Sequence, residues 1–325
     1  MRNNRPAAAV LRERWLELVL LVGFFGLLAW LATLADPYVR PYVVAWVEER
    51  LSLRFDGDRA FQHVAAQVAL GPRPTGSEAS RQTAEYIARH VSALGWQVEN
   101  QDFVYRGTPA RNIIARAGQG PVVILGAHYD TRRQADRDPD PARRSEPVLG
   151  ANDGASGVAV LLELARVLRP ARIPYEIWLV FFDAEDNGGL DGWEFIAGST
   201  FLANNLAVKP EMVIVVDMIG DADQQIYQER TSTRALVERI WQVAAELGYQ
   251  GFFLPSVKYS IVDDHTPFLR LGIPAADLID FDYPSWHTTQ DTLDKVSPDS
   301  LERVGRVVQR FLEQGGLPPT PQPAR

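Results

Sequence analysis

The chain has 325 residues, 46% of them hydrophobic and 23% charged, with a net charge of −8. These are globular proportions, enough for one large α/β domain plus an appendage, and the acidic balance excludes the basic face that a nucleic-acid partner requires. With no cysteine there is no disulfide and no thiolate site, so any transition metal must be held by His, Asp and Glu.

The first feature along the chain is LVLLVGFFGLLAWLATLA, residues 18–35, uncharged throughout. Eighteen apolar residues reach the lower limit for a bilayer-spanning helix. Arg2, Arg5, Arg12 and Arg14 precede it, which favours a cytoplasmic N-terminus. The expectation is a cytoplasmic tail (1–15), an uncleaved transmembrane anchor (16–35) and a juxtamembrane segment (36–56). The rest of the chain then lies outside the cytoplasm. A cleaved signal peptide ending at TLA, before Asp36, is the rival reading.

Beyond it, DGDRAFQHVAAQVAL reads as a helix, broken by GPRPTGS (71–77). EASRQTAEYIARHVSALG has helical periodicity and stops at Gly95. WQVENQDFVYR and RNIIARA alternate as strands do. PVVILGAHYD, YEIWLVFFDAED, EMVIVVDMIGD and IPAADLIDF are apolar runs of buried-strand type. Residues 131–149 are charged and proline-rich and read as a loop. GVAVLLELARVL, TRALVERIWQVAAELGY and SPDSLERVGRVVQRFLEQ read as helices, the last with Ser297 and Pro298 opening it. The tail, 317–325, is too rich in proline to pack. Strands alternating with helices predict an α/β fold, a mostly parallel mixed sheet with helices on both faces, over 57–316.

Ligands in such sheets bind beyond the carboxyl ends of the strands. The polar residues collect there: His128 and Asp130, then Asp183, Glu185 and Asp186, then Asp217, and finally Asp282 and the His287 loop. Asp153 enters a helix in GANDGASG. Each has a plain alternative, Asp153 as a helix cap and His128 as a core histidine among them. Their shared placement is what argues for a site. Adjacent carboxylates such as Glu185 and Asp186 repel unless a cation holds one ionised; the other is then free to carry protons. Zinc suits imidazoles with carboxylates. His63 and His90 fall on exposed-looking helix faces and are excluded as ligands. His265, before Thr266 and Pro267, reads as structural or as a support behind the ligands.

GAHYDT, GANDGASG, FFDAEDNG, VVDMIGD, DDHTPFLRLGIPA and YPSWHTTQDT, in this order, resemble a metallopeptidase family (clan MH) that holds zinc aminopeptidases and glutaminyl-peptide cyclotransferases. GPRPTGS resembles it as well. The resemblance covers roughly residues 57–315 and implies the phosphorylase/hydrolase-like zinc exopeptidase fold. It also implies one or two zinc ions and peptide or protein N-termini as substrate. His128, Asp153, Asp186, Asp217 and His287 match its ligand positions. In the two-zinc aminopeptidases Asp153 bridges, His128 and Asp217 hold one ion, and Asp186 and His287 hold the other. In the cyclotransferases one zinc uses the positions of Asp153, Asp186 and His287. Asp186 departs from the glutamate usual there. Glu185 matches the general base.

Between the branches, Asp263 matches a cyclotransferase acid and Trp286 a cyclotransferase pocket residue. Trp193 falls near a second pocket tryptophan. Asp277, where those enzymes carry histidine, and DTLDKVS, common in the peptidases, point the other way. The resemblance therefore implies a glutaminyl-peptide cyclotransferase-like enzyme, with Glu185, Asp217 and Asp263 catalytic; an aminopeptidase is the alternative, a catalytically dead binding ectodomain the third. Asp291 is expected to orient the His287 imidazole.

Overall fold

Six strands form the central sheet, and their burial follows from their sequence. The computed structural model describes residues 54–317, and Trp30 upstream. The expected membrane anchor and most of the proline-rich tail lie outside the described residues. Among the described residues no helix is long and apolar enough to cross a membrane.

In chain order the main elements are α1 (Gly57–Val68), α2 (Glu78–Ala93), β1 (Gln97–Tyr105), β2 (Thr108–Gly118), β3 (Val122–His128), α3 (Ala155–Val167), β4 (Glu176–Phe182) and α4 (Ala197–Asn204). Then come β5 (Met212–Asp217), β6 (Ile226–Gln228), α5 (Arg234–Glu246), β7 (Phe253–Val257), α6 (Thr266–Arg270), β8 (Ala275–Ile279) and α7 (Pro298–Glu313). The sheet order is β1-β2-β4-β3-β5-β8. β4, β3, β5 and β8 are parallel, and the β1–β2 hairpin joins antiparallel at the β4 side. β6 and β7 pair separately.

The two-residue strand period sorts side chains between two layers. Val123, Leu125, Ile177, Leu179, Phe181, Ile214 and Val216 face one layer, with α1, α2, α3, α5 and α7. Their neighbours Val122, Ile124, Trp178, Val180, Phe182, Val213 and Val215 face Leu202 of α4 and Phe268 of α6. A strand covered on both sides has no polar face, which is why β3 and β5 are buried at every residue.

The expected helices and buried strands are present. α4, β6 and β7 are additions to the expected set. The 131–149 segment is irregular apart from a single turn at Pro141–Arg143. His63 and His90 are not on exposed faces: they are half-buried between α1 and α2, ring centroids 4.4 Å apart, with His63 Nδ1 2.6 Å from the Tyr86 hydroxyl. Neither belongs to a donor set that fits a metal among the described residues.

Candidate metal centre

The carboxyl ends of β3, β4, β5 and β8 share one sheet edge, and each brings a polar side chain to it. His128 closes β3 and Asp217 closes β5. Glu185 and Asp186 sit on the turn after β4, His287 on the loop after β8, and Asp153 on the turn into α3. Two donor sets result, sharing Asp153: His128, Asp153 and Asp217, and Asp153, Asp186 and His287. His128 Nε2 lies 3.1 Å from both Asp153 Oδ1 and Asp217 Oδ1. His287 Nε2 lies 2.8 Å from Asp186 Oδ1 and 3.7 Å from Asp153 Oδ2. All five expected ligands thus come together, and the shorter Asp186 still reaches.

Carboxylates and one arginine hold the turns that carry them. Asp130 accepts the Glu185 and Asp186 N–H groups at 3.0 and 3.2 Å and the Thr75 hydroxyl at 3.1 Å. Its own carbonyl lies 3.1 Å from His128 Nδ1, fixing that ring from behind. Arg73, fully buried in the GPRPTGS turn, donates to the carbonyls of Tyr129, Gly71, Leu149 and Gly150 at 2.7–3.3 Å. It therefore ties the chain after His128 to the chain before Asp153. Gly154 has φ +98°, and a Cβ there would stand 2.7 Å from the Asp130 carbonyl, so only glycine lets this turn approach.

Asp291 departs from expectation. It accepts the N–H groups of Asn152 and Asp153 at 2.8 and 3.1 Å and the Tyr283 hydroxyl at 2.7 Å. It braces the Asp153 turn, and those three donors occupy it in place of the His287 ring.

The donor atoms fit a cation. Asp153 Oδ2 and Asp186 Oδ2, on the side His287 Nε2 faces, are buried without a hydrogen-bond partner among the described residues. Buried carboxylate oxygens in that state cost several kcal/mol unless a positive charge faces them. Imidazoles with carboxylates are a zinc-type donor set. Burial pushes Asp186 well above the ordinary carboxylate range, Asp153 adding to it, and pushes Asp217 up to about 7. Burial lowers His287 to about 3, so it is neutral at pH 7, the form that ligates a metal. His128 goes the other way: burial is outweighed by Asp217, Asp130 and Asp153.

Beside the cluster is a cavity of about 420 Å³. Glu185, Asp217 and Asp263 face it with the apolar walls Phe195, Ile261, Phe281 and Trp286. The Glu185 carboxyl is pushed well above its ordinary value by burial, His128 opposing and Asp186, Asp264 and Asp263 adding to it. Trp193 does not line this cavity. It is buried with Phe103 and Ala110 under the β1–β2 hairpin, edge-on to Tyr105. Phe195, two residues on, takes the wall position. Asp183 and Asp282 are spent elsewhere. Asp183 accepts from Arg111 N–H and the Tyr129 hydroxyl, and Asp282 pairs with Lys258 at 2.6 Å. His265 lies 2.9 Å from the Thr231 hydroxyl and 3.4 Å from Glu229, outside both donor sets. Asp264 and Asp277 are wholly buried, and among the described residues neither side-chain oxygen of either has a hydrogen-bond partner. They form an acidic floor behind Asp263 that the sequence did not announce.

The family model described as "Peptidase family M28" matches residues 112–312. The chain belongs to that family. Among curated relatives, the uncharacterized protein YfbL of Escherichia coli is 29% identical, covering 68% of this chain and 76% of its own. The glutaminyl-peptide cyclotransferase-like protein of Bos taurus is 26% identical, covering 76% and 72%. Among solved structures, the glutaminyl cyclase of Bacteroides thetaiotaomicron bound to N-acetylhistamine superposes with a TM-score of 0.76 at 33% identity, covering 81% of this chain and 99% of its own. A leucine aminopeptidase precursor from the same species matches with the same TM-score and identity, covering 81% and 98%. A Zn-dependent exopeptidase from Parabacteroides distasonis has TM-score 0.75 at 34% identity, covering 81% and 99%. The M28 chain is therefore of the glutaminyl cyclase and zinc exopeptidase type, and zinc is its metal.

Proposed function

We propose that this chain closes the N-terminal glutamine of peptides into pyroglutamate with release of ammonia. The observation that carries the reading is the placement of Glu185, Asp217 and Asp263 around a small cavity walled by Trp286, Phe281 and Phe195. Ring closure needs a proton carrier at the α-amine, acceptors that fix the side-chain amide, and a wall that keeps water away. Zinc, when held by Asp153, Asp186 and His287, supplies Lewis-acid polarisation of a carbonyl. Glu185 takes a proton from the α-amine as its nitrogen bonds to the side-chain carbonyl carbon. It then delivers that proton to the amide nitrogen as the C–N bond breaks and ammonia leaves. Asp217 and Asp263 hold the amide N–H groups. Trp286 and Phe281 cover the closing ring.

The second donor set, His128 and Asp217 with shared Asp153, favours the aminopeptidase as the other reading. In that case Glu185 draws the proton from a water. Incubation with Gln-peptides and aminoacyl-anilides, following ammonia and arylamine separately, decides between them. Ammonia with a pyroglutamyl product supports the cyclase; arylamine alone overturns it.

We also read residues 16–35 as a membrane anchor that leaves the catalytic domain outside the cytoplasm. The uncharged run behind four arginines supports this. Recovery of the full-length protein in the soluble fraction after lysis is the result that defeats it.

A further inference from the structure

The loop 132–138 reaches the His287 loop at several points that the reaction above leaves unused. Arg132 is buried and grips both oxygens of Asp136, at 2.6 and 2.9 Å, while its Nη1 donates to the carbonyls of Asp186 and Gly188 at 2.8 and 3.2 Å. Asp136 Oδ1 stands 3.8 Å from His287 Nδ1. The Arg137 N–H donates to the His287 carbonyl at 3.3 Å, and its guanidinium lies 4.4 Å over the Trp286 ring. Asp138 accepts the N–H and hydroxyl of Thr289 at 2.9 and 2.5 Å. His287 has φ 57°, a region that non-glycine residues avoid. Such a conformation persists only when its surroundings over-determine it, and this loop is the surrounding that touches it.

Two facts single out Asp136. His287 Nε2 points at Asp186 and Asp153, so a metal on Nε2 leaves the proton on Nδ1. Nδ1 is buried and has no hydrogen-bond partner among the described residues. A ligating imidazole is oriented by a carboxylate or carbonyl at its second nitrogen, and Asp136 is the carboxylate on that side. At 3.8 Å the contact is electrostatic rather than a hydrogen bond.

We propose that Asp136, locked by Arg132, is the positioning residue for His287. Arg132 also holds the Asp186 carbonyl, so one side chain couples the placement of two ligands. The inference rests on the metal-centre reading.

The test uses the full-length protein, zinc and a chromophoric chelator as competitor. Zinc dissociation constants are measured for wild type, Asp136→Ala and Asp136→Asn, with the melting temperature of each zinc-free form. Nitrogen NMR of the zinc-loaded proteins reports the chemical shift and solvent exchange of the His287 Nδ1–H. Asp136→Ala is expected to raise the dissociation constant about ten- to a hundredfold; it also leaves the buried Arg132 without its carboxylate, so the zinc-free melting temperature falls too, and the constants are compared at a temperature where every zinc-free form is folded. Asp136→Asn keeps an acceptor oxygen and should lose less, while weakening the Nδ1–H signal. Dissociation constants within about twofold of wild type in both variants, or an unchanged Nδ1–H signal in Asp136→Asn, overturn the positioning role. A wild type that binds no zinc overturns the metal-centre reading with it.

Discussion

Two pairs of histidines divide the labour of this fold differently. His128 and His287 are both 2% exposed, and they converge on opposite oxygens of one carboxylate, Asp153. His63 and His90 are half-buried and face each other and the Tyr86 hydroxyl. Residue type is the same in both places. What differs is the neighbourhood: strand ends carry acids to the first pair, while two packed helices offer the second pair no carboxylate donor set. Carboxylates that converge on the first pair within ligating reach make those two histidines fit for a metal; a histidine between helices is packing that acid can disturb.

The largest expected effect separates the pairs outright. His287→Ala removes an inner ligand, and activity should fall by about three orders of magnitude or more, since the Lewis acid contributes several kcal/mol. Zinc content at that set should fall with it. His63→Phe, remote from the cluster, should leave the rate within about twofold. Equal losses in the two variants break the comparison.

Glu185→Gln sharpens it next, because Glu185 sits in the acidic neighbourhood without belonging to either donor set. The rate should drop about a hundred- to ten-thousandfold, the usual worth of proton transfer, with zinc content unchanged. A variant that loses zinc as well places Glu185 among the ligands instead.

The sequence exposed the strand-borne half of the site more readily than the loop-borne half. His128 and Asp217 end apolar runs buried on both faces, and such runs mark strands whatever surrounds them. Glu185, Asp186 and His287 were found by motif, but the groups that hold them were not. Arg73 stands between two prolines, which reads as a surface turn; its four carbonyl partners are fixed by the tertiary fold, three of them 56 to 77 residues away. Asp136 belongs to a charged loop with no periodicity to interpret. Trp193 and Phe195 lie in a stretch where Asp191 and Ile196 have φ of 47° and 59°. Side-chain direction there cannot be counted off as in a strand, so the tryptophan turned to the core and the phenylalanine to the cavity. The short α4 and the three-residue β6 carry too few residues for a pattern, and β7 contains a proline.

The smallest effect belongs to the helix pair and is a matter of pH. Burial, helped by the charges of His90 and Arg59, lowers His63 from the ordinary 6.5 to about 4. The unfolded chain therefore takes up this proton at higher pH than the folded one. Above pH 6.5 both forms are neutral and the packing contribution is fully present. As pH falls from 6.5 towards 4 the unfolded form gains protons first, and stability declines across that window. Below about 4 both are protonated and the decline from this group ends. The ring is only half-buried, so solvent reduces the effect to about 1–2 kcal/mol. Urea unfolding at pH 7.5 and 4.5 measures it in wild type and in His63→Gln, which cannot titrate at that position. The stability difference between the two pH values should be smaller in His63→Gln by about that amount. An identical difference in both proteins would show that His63 does not report on the acid sensitivity of the α1–α2 interface.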